Sequence, residues 1–266
     1  MITEPKKSLG QYLLLCGWVV DALIEAAQLS ADDTVVEIGP GTGVLTKPLS
    51  QRVKHVIAVE KDDALADTLA GQNIENLEVI KGDILDVLKH QPDIIAGRKI
   101  VANIPYYLTS RLLRILMEAD TPPQRVVLTI QKEVAERIVA VPPDMNLLAL
   151  SVQAYARPRI VADVPAECFA PPPDVDSAII LLSDISDNFF TKNGLDAQFF
   201  FTVLRAAFGQ KRKQLVNPLS AIAGGKQKAL AALHAAGLDP HIRPQELSLD
   251  QWAVLVKEIL KNSSRP

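Results

Sequence analysis

Asn103-Ile104-Pro105-Tyr106 places two hydrogen-bond acceptors, a rigid joint and an aromatic ring side by side. The side-chain oxygen of Asn103 and the backbone carbonyl of Ile104 can each accept one N–H of an amino group on an aromatic ring, such as the exocyclic amine of adenine. That nitrogen is a poor nucleophile because its lone pair is delocalised into the ring. Two acceptors favour tetrahedral character and aim the pair at an electrophile in line with it. No general base is then needed before transfer. Pro105 fixes its own φ and biases Ile104 toward an extended backbone, which holds the carbonyl in one direction. Tyr106 offers a face for a base drawn out of its stack, and Phe169 a second, each stacked base returning roughly 1–3 kcal/mol. Taken singly, Tyr106 reads as a core aromatic and Pro105 as a strand terminator.

An electrophile must be held beside these residues. Thr34-Val35-Val36-Glu37-Ile38 is a short β-branched run that leads into Gly39-Pro40-Gly41-Thr42-Gly43 and then a helix. A strand, a glycine turn and a helix N-terminus form a general nucleoside site. The spacing is GxGxG after an acidic residue, not the GxGxxG of nicotinamide and flavin proteins, and this favours S-adenosylmethionine, which has no pyrophosphate to cradle. Glu60, about 20 residues on, is placed to accept from both ribose hydroxyls. Asp83 ends the next strand, where it can accept from the adenine amine, with Ile84 packing on the ring. As isolated features these are a tight turn and helix caps. At consecutive strand ends they share the rim where ligands of open α/β sheets lie.

These residues need a scaffold, and the chain supplies alternating elements. A helix is expected over residues 13–29, and strands over 34–38, 56–59, 77–80, 99–102 and 124–130, with helices from Asp62 and over 86–90, 110–118 and 132–140. Residues 151–156 and 178–182 complete seven strands. The expected fold class is α/β, a Rossmann-like seven-stranded methyltransferase sheet with helices on both faces and a small all-α C-terminal domain. The polar stretch 183–188 marks the boundary, giving domains 1–185 and 186–266. Helices are expected over 197–208, 212–222, 227–236 and 249–261, with Gly237 as a stop and Ser248 as an N-cap.

Among 266 residues, 48% are hydrophobic and 22% charged, values of an ordinary globular chain with a sizeable core. The net charge of −3 hides an asymmetry: from Ile185 onward 11 Lys and Arg stand against 6 Asp and Glu. A basic appendage on an acidic body is compatible with RNA binding. No apolar run approaches the roughly 20 residues of a membrane span, and the N-terminus does not read as a signal peptide, so a cytoplasmic protein is expected. Cys16 and Cys168 lack CxxC spacing and read as separate core hydrophobes. The four histidines lack metal-ligand spacing, so no metal is expected.

The chain resembles the small-subunit ribosomal RNA adenine dimethyltransferases, the family linked to kasugamycin resistance. Gly10-Gln11, Glu37 to Gly43, Glu60, Gly82-Asp83, Asn103 to Tyr106, Gln131 to Val134, Phe169 to Ser177, Ala207 to Lys213 and Gly237 to Ser248 carry the likeness. It implies a cofactor site of Gln11, Tyr12, Leu14, Gly39, Glu60, Asp83 and Asn103, to which the glycine turn and the third strand end add Gly41 and Ile84, with Tyr106 and Phe169 near the target base. It implies S-adenosylmethionine as donor, S-adenosylhomocysteine as product, and dimethylation at N6 of two adjacent adenines in a hairpin near the 3′ end of small-subunit rRNA. The partner would be that rRNA within the pre-30S particle, met by a monomer, with Lys211, Arg212 and Lys213 on phosphates. The chain departs from the family pattern in having Tyr12 where the family usually has Asn, Met145-Asn146-Leu147-Leu148 after the Gln-Lys-Glu helix, and Gly209 before the basic run. Other readings are a large-subunit rRNA methyltransferase conferring antibiotic resistance, a non-catalytic RNA-binding assembly factor, and an NAD-dependent oxidoreductase.

Overall fold

A computed structural model describes residues 12–210 and 213–263. They form two compact units, one of residues up to Glu136 with Ala156–Ile185, the other of Arg137–Tyr155 with residues from Ser186 on.

The first unit holds nine strands: β1 (Leu13–Leu14), β2 (Thr34–Ile38), β3 (His55–Glu60), β4 (Leu77–Lys81), β5 (Lys99–Asn103), β6 (Arg125–Gln131), β7 (Arg157–Val164), β8 (Phe169–Ala170) and β9 (Ser177–Ser183). Seven of them form one sheet in the order β4-β3-β2-β5-β6-β9-β7. β9 pairs antiparallel with both neighbours, so it alone runs against the other six, and the expected parallel sheet is mixed at one side. Successive residues of a strand point to opposite faces, yet Val35 and Val36, and Val126, Val127 and Leu128, are all fully buried. Both faces are therefore covered, as apolar β-branched central strands require. Helix α1 (Gly17–Ala27) packs Val19, Leu23 and Ala27 against Val35, Val101, Val127 and Ile179. The remaining helices of this unit are α2 (Thr46–Ser50), α3 (Asp63–Ala70), α4 (Ile84–His90), α5 (Thr109–Met117) and α6 (Lys132–Ile138), the last leading into the second unit.

The second unit is helical: α7 (Leu147–Gln153), α8 (Asn188–Asn193), α9 (Ala197–Phe208), α10 (Val216–Ala223), α11 (Lys226–Ala235) and α12 (Leu249–Ser263). Asp196 caps α9 through the Phe199 N–H, and Ser248 accepts from Gln251 at the start of α12 while the Gln251 side chain accepts from Ser248 N–H. Gly237 stands at φ 69°, just past α11, where a left-handed residue ends a helix cheaply.

The structure departs from four expectations. Residues 151–156 are not a strand. Asn146 caps α7 by accepting from the Ala149 N–H, and Met145, Ala149, Leu150 and Ala154 join Phe200, Leu204 and Trp252 in the core of the helical unit. The segment 137–155, expected within the first domain, thus packs in the second unit. The strand lies instead at Arg157–Val164, where Pro158 is tolerated because β7 is the sheet edge. The helix expected over residues 13–29 begins only at Gly17, because Leu13 and Leu14 pair with Ala170 and Phe169. Finally, Cys16 and Cys168 are joined in a disulfide, their Cα atoms 5.0 Å apart across 152 residues of sequence. The β1–β8 pairing brings them together, with Leu15 N–H donating to the Cys168 carbonyl at 2.8 Å.

Candidate active site

The carboxyl ends of β2, β3, β4 and β5 meet at one rim, as parallel strands in this order dictate. A pocket of about 1070 Å³, open mouth included, lies there. Its walls include every described candidate of the first unit: Tyr12, Leu14, Gly39, Gly41, Glu60, Asp83, Ile84, Asn103, Ile104, Pro105, Tyr106 and Phe169. Gln11, Lys211 and Arg212 lie outside the described residues. Lys213 belongs to the other unit and is exposed in the turn that follows α9.

The glycine loop is shaped by backbone that only glycine adopts without strain. Gly39 and Gly41 sit at φ 68° and 59°. A Cβ at Gly41 would meet Leu13 Cδ2 at 3.8 Å, and one at Gly39 would stand 3.9 Å from the Asn103 carbonyl oxygen and from Pro105 Cδ. The loop therefore keeps a bare backbone close to both β1 and the end of β5. Glu60 braces it: Oε2 accepts from Gly41 N–H at 3.0 Å and Oε1 from Asp62 N–H at 2.8 Å. Each carboxylate oxygen keeps a further lone pair for a ligand hydroxyl.

Asp83 caps α4 by accepting from Leu85 N–H at 2.9 Å and pairs with Lys61 Nζ at 2.9 Å. That carboxylate raises the Lys61 ammonium above its ordinary pKa, and the same Nζ stands 6.0 Å from the centroid of the Tyr107 ring. Lys61 and Tyr107 were not legible as site residues, since one follows Glu60 and the other Tyr106 with no spacing signal of their own. Beneath the loop Glu37 is wholly buried, and Oε2 has no hydrogen-bond partner among the described residues. Burial pushes its carboxyl up to about 8. The nearby Thr46 hydroxyl opposes this without a well-formed hydrogen bond, and the Glu60 charge adds to it.

At the end of β5 the backbone pairs with Thr129 of β6, which fixes Asn103 at the rim. Asn103 Nδ2 donates to the Tyr12 carbonyl at 3.2 Å. Its Oδ1 and the Ile104 carbonyl accept no hydrogen bond among the described residues. The Tyr106 ring stacks on Tyr12 with centroids 5.4 Å apart and planes at 29°. Its hydroxyl meets Ser177 Oγ at 2.7 Å, and burial chiefly raises its pKa, so the phenol stays protonated. Ser177, fully buried at the start of β9, had no sequence signal beyond ending the segment from Phe169. Phe169 is 3% exposed and faces Leu14 across the β1–β8 pair.

This arrangement fits S-adenosylmethionine: bare loop backbone, a ribose-competent carboxylate and two unengaged acceptors share one pocket. Among the described residues no group of three or more His, Cys, Asp or Glu is arranged to hold a metal ion.

Residues 2–261 match a family model described as ribosomal RNA adenine dimethylase. The chain is 42% identical over 266 residues to the ribosomal RNA small subunit methyltransferase A of Dehalococcoides mccartyi, covering 97% of this chain and 90% of that one. It is 37% identical over 268 residues to the enzyme of the same name from Geobacillus thermodenitrificans, covering 96% and 91%. Among solved structures, a dimethyladenosine transferase from Plasmodium falciparum superposes with TM-score 0.81 at 26% identity over 94% of this chain and 98% of that one. The 23S rRNA methyltransferase ErmE shares the fold, with TM-score 0.74 at 24% identity over 93% and 99%. A match of this extent, on a chain whose rim carries the glycine loop and the Asn-Ile-Pro-Tyr acceptors, shows that it belongs to the ribosomal RNA adenine dimethylase family of S-adenosylmethionine-dependent methyltransferases.

Proposed function

We propose that the chain methylates N6 of two adjacent adenines in the 3′-terminal hairpin of small-subunit rRNA, giving N6,N6-dimethyladenosine. It acts as a monomer on the pre-30S particle in the cytoplasm. The observation that carries the chemistry is the pair of unengaged acceptors, Asn103 Oδ1 and the Ile104 carbonyl, beside the half-buried Tyr106. The small-subunit methyltransferases among its relatives support the choice of the small subunit.

S-adenosylmethionine, when bound, supplies an electrophilic methyl group on a sulfonium. Gly39 and Gly41 present backbone to it, Glu60 accepts from its ribose hydroxyls through the lone pairs left beside Gly41 and Asp62, and Asp83 with Ile84 hold its adenine. Asn103 and Ile104 each accept one N–H of the target amine, localising its lone pair. Tyr106 and Phe169 receive the flipped base, offsetting the few kcal/mol of unstacking. As the methyl moves to nitrogen the amine sheds one proton to solvent and S-adenosylhomocysteine is left, so one N–H remains, which a single acceptor suffices to orient for the second transfer. Lys211, Arg212 and Lys213 contact phosphates, so RNA affinity falls with rising salt.

The deciding experiment is mass mapping of rRNA after purified protein and S-adenosylmethionine are added to unmethylated small subunits. Dimethylation of the two hairpin adenines is expected. Incorporation confined to large-subunit rRNA would assign the chain to resistance methylation, and no incorporation would leave an assembly factor without catalysis. Among the described residues no helix is long and apolar enough to cross a membrane.

A further inference from the structure

An asparagine amide has two orientations related by a half-turn, and only one offers its oxygen to a target amine. At Asn103 the neighbour decides. A carbonyl can only accept, so the 3.2 Å contact with the Tyr12 carbonyl requires the amide nitrogen to face Tyr12 and turns Oδ1 away from it. No other hydrogen bond to this side chain exists among the described residues, and β5 pairs through backbone alone. The lock on the acceptor is therefore supplied from 91 residues away.

Tyr12 is itself held. Its ring lies on Tyr106, whose hydroxyl is tied to buried Ser177, and the next two residues pair in register with Ala170 and Phe169. Ring, platform and carbonyl thus form one chain of contacts that ends at the Asn103 amide. Centroids 5.4 Å apart leave no room for a base between the rings, since two stacking contacts need roughly 7 Å. The target base takes the part of Tyr106 that Tyr12 leaves open.

We propose that Tyr12 is a positioning residue for methyl transfer: its ring, stacked on Tyr106, anchors the backbone carbonyl that turns the Asn103 amide oxygen toward the target amine. This rests on the acceptor role given to Asn103 above, and it assigns Tyr12 work distinct from contact with the cofactor.

The test is single-turnover methyl transfer to unmethylated small subunits by the full chain carrying Tyr12→Ala, Tyr12→Phe, Asn103→Ala, or Tyr12→Ala with Asn103→Ala. Cofactor affinity and thermal melting are measured on each. Tyr12→Ala is expected to slow transfer about tenfold while cofactor Kd moves less than about threefold. Tyr12→Phe, which keeps the ring, recovers most of the rate. In the Asn103→Ala background Tyr12→Ala costs nothing further, because the group it positions is gone, whereas general loosening of the fold would slow both backgrounds alike. A parent-like rate for Tyr12→Ala, a fully additive double variant, or failure of Phe to recover the rate would overturn the proposal. Full turnover by Asn103→Ala alone would instead remove the two-acceptor reading on which it stands.

Discussion

The ends of β3 and β4 and the end of β5 lie on the same rim but are built in opposite ways. Glu60 and Asp83 already serve the protein: one holds the Gly41 and Asp62 amides, the other caps α4 and pairs with Lys61. Asn103 Oδ1 and the Ile104 carbonyl accept nothing among the described residues. A ligand that must be gripped is met by groups whose geometry is locked by structural hydrogen bonds. A reacting amine is met by acceptors left open for it, because an acceptor already satisfied would have little to offer a new N–H. The same contrast explains why the carboxylates resemble ordinary caps when read one at a time, while the two acceptor oxygens of the Asn-Ile-Pro-Tyr segment have no comparable structural duty.

If the contrast holds, damage on the two sides separates into stability and rate. Asn103→Ala should lower turnover by about 10²–10³-fold, the scale of removing one preorganised polar contact from a transition state. RNA binding and the melting temperature should stay close to the parent, and a parallel loss of melting temperature would show that Asn103 is as structural as Glu60.

Glu37 tests the buried floor of the cofactor side. Its folded-state pKa, about 8, stands above the ordinary 4.5, so its contribution to stability is complete below about 4.5 and is lost as pH rises through 8. Urea melts from pH 5 to 9 should show this decline, on the order of a few kcal/mol at most, and Glu37→Gln should flatten it. An unchanged slope in the variant would place the titration elsewhere.

Glu60→Ala leaves two backbone amides without their acceptor, a loss of about 1–3 kcal/mol for each that stays buried, and it should weaken cofactor binding as well. Calorimetry and thermal melts on the same preparation check both; weakened binding with an unaltered melt would mean that the loop does not depend on this brace. The smallest effect is expected from Asp83→Ala, about 1 kcal/mol through the lost cap on α4. Its partly exposed pair with Lys61 adds little. Asp83→Asn should recover the cap, so a melt for the Asn variant as low as that of Ala would assign the loss to the ion pair instead.

Much of this was legible in local pattern. β-branched runs between turn residues marked β2 to β6 and β9, and helical spacing marked α9, α11 and α12, because both depend on neighbours a few residues apart. Local pattern was silent where a partner distant in sequence decided. Leu147–Gln153 is short and apolar, which periodicity alone cannot assign; its Asn146 cap and the helical unit's core made it a helix. Leu13–Leu14 continued an apolar pattern that suits a helix, but its pairing with β8 extended it.

The sequence by itself determined the rim: the glycine loop, Glu60, Asp83 and Asn103 to Tyr106 each end a strand, and parallel strands in one sheet necessarily bring such ends together. Only the tertiary structure decided what surrounds the acceptors. The β1–β8 pair, the Cys16–Cys168 disulfide, the Tyr12 stack and the orientation of the Asn103 amide all join residues between 91 and 157 positions apart. Contacts of that span leave no periodic trace, because each is specified by where two strands finish in space and not by what stands beside them in the chain.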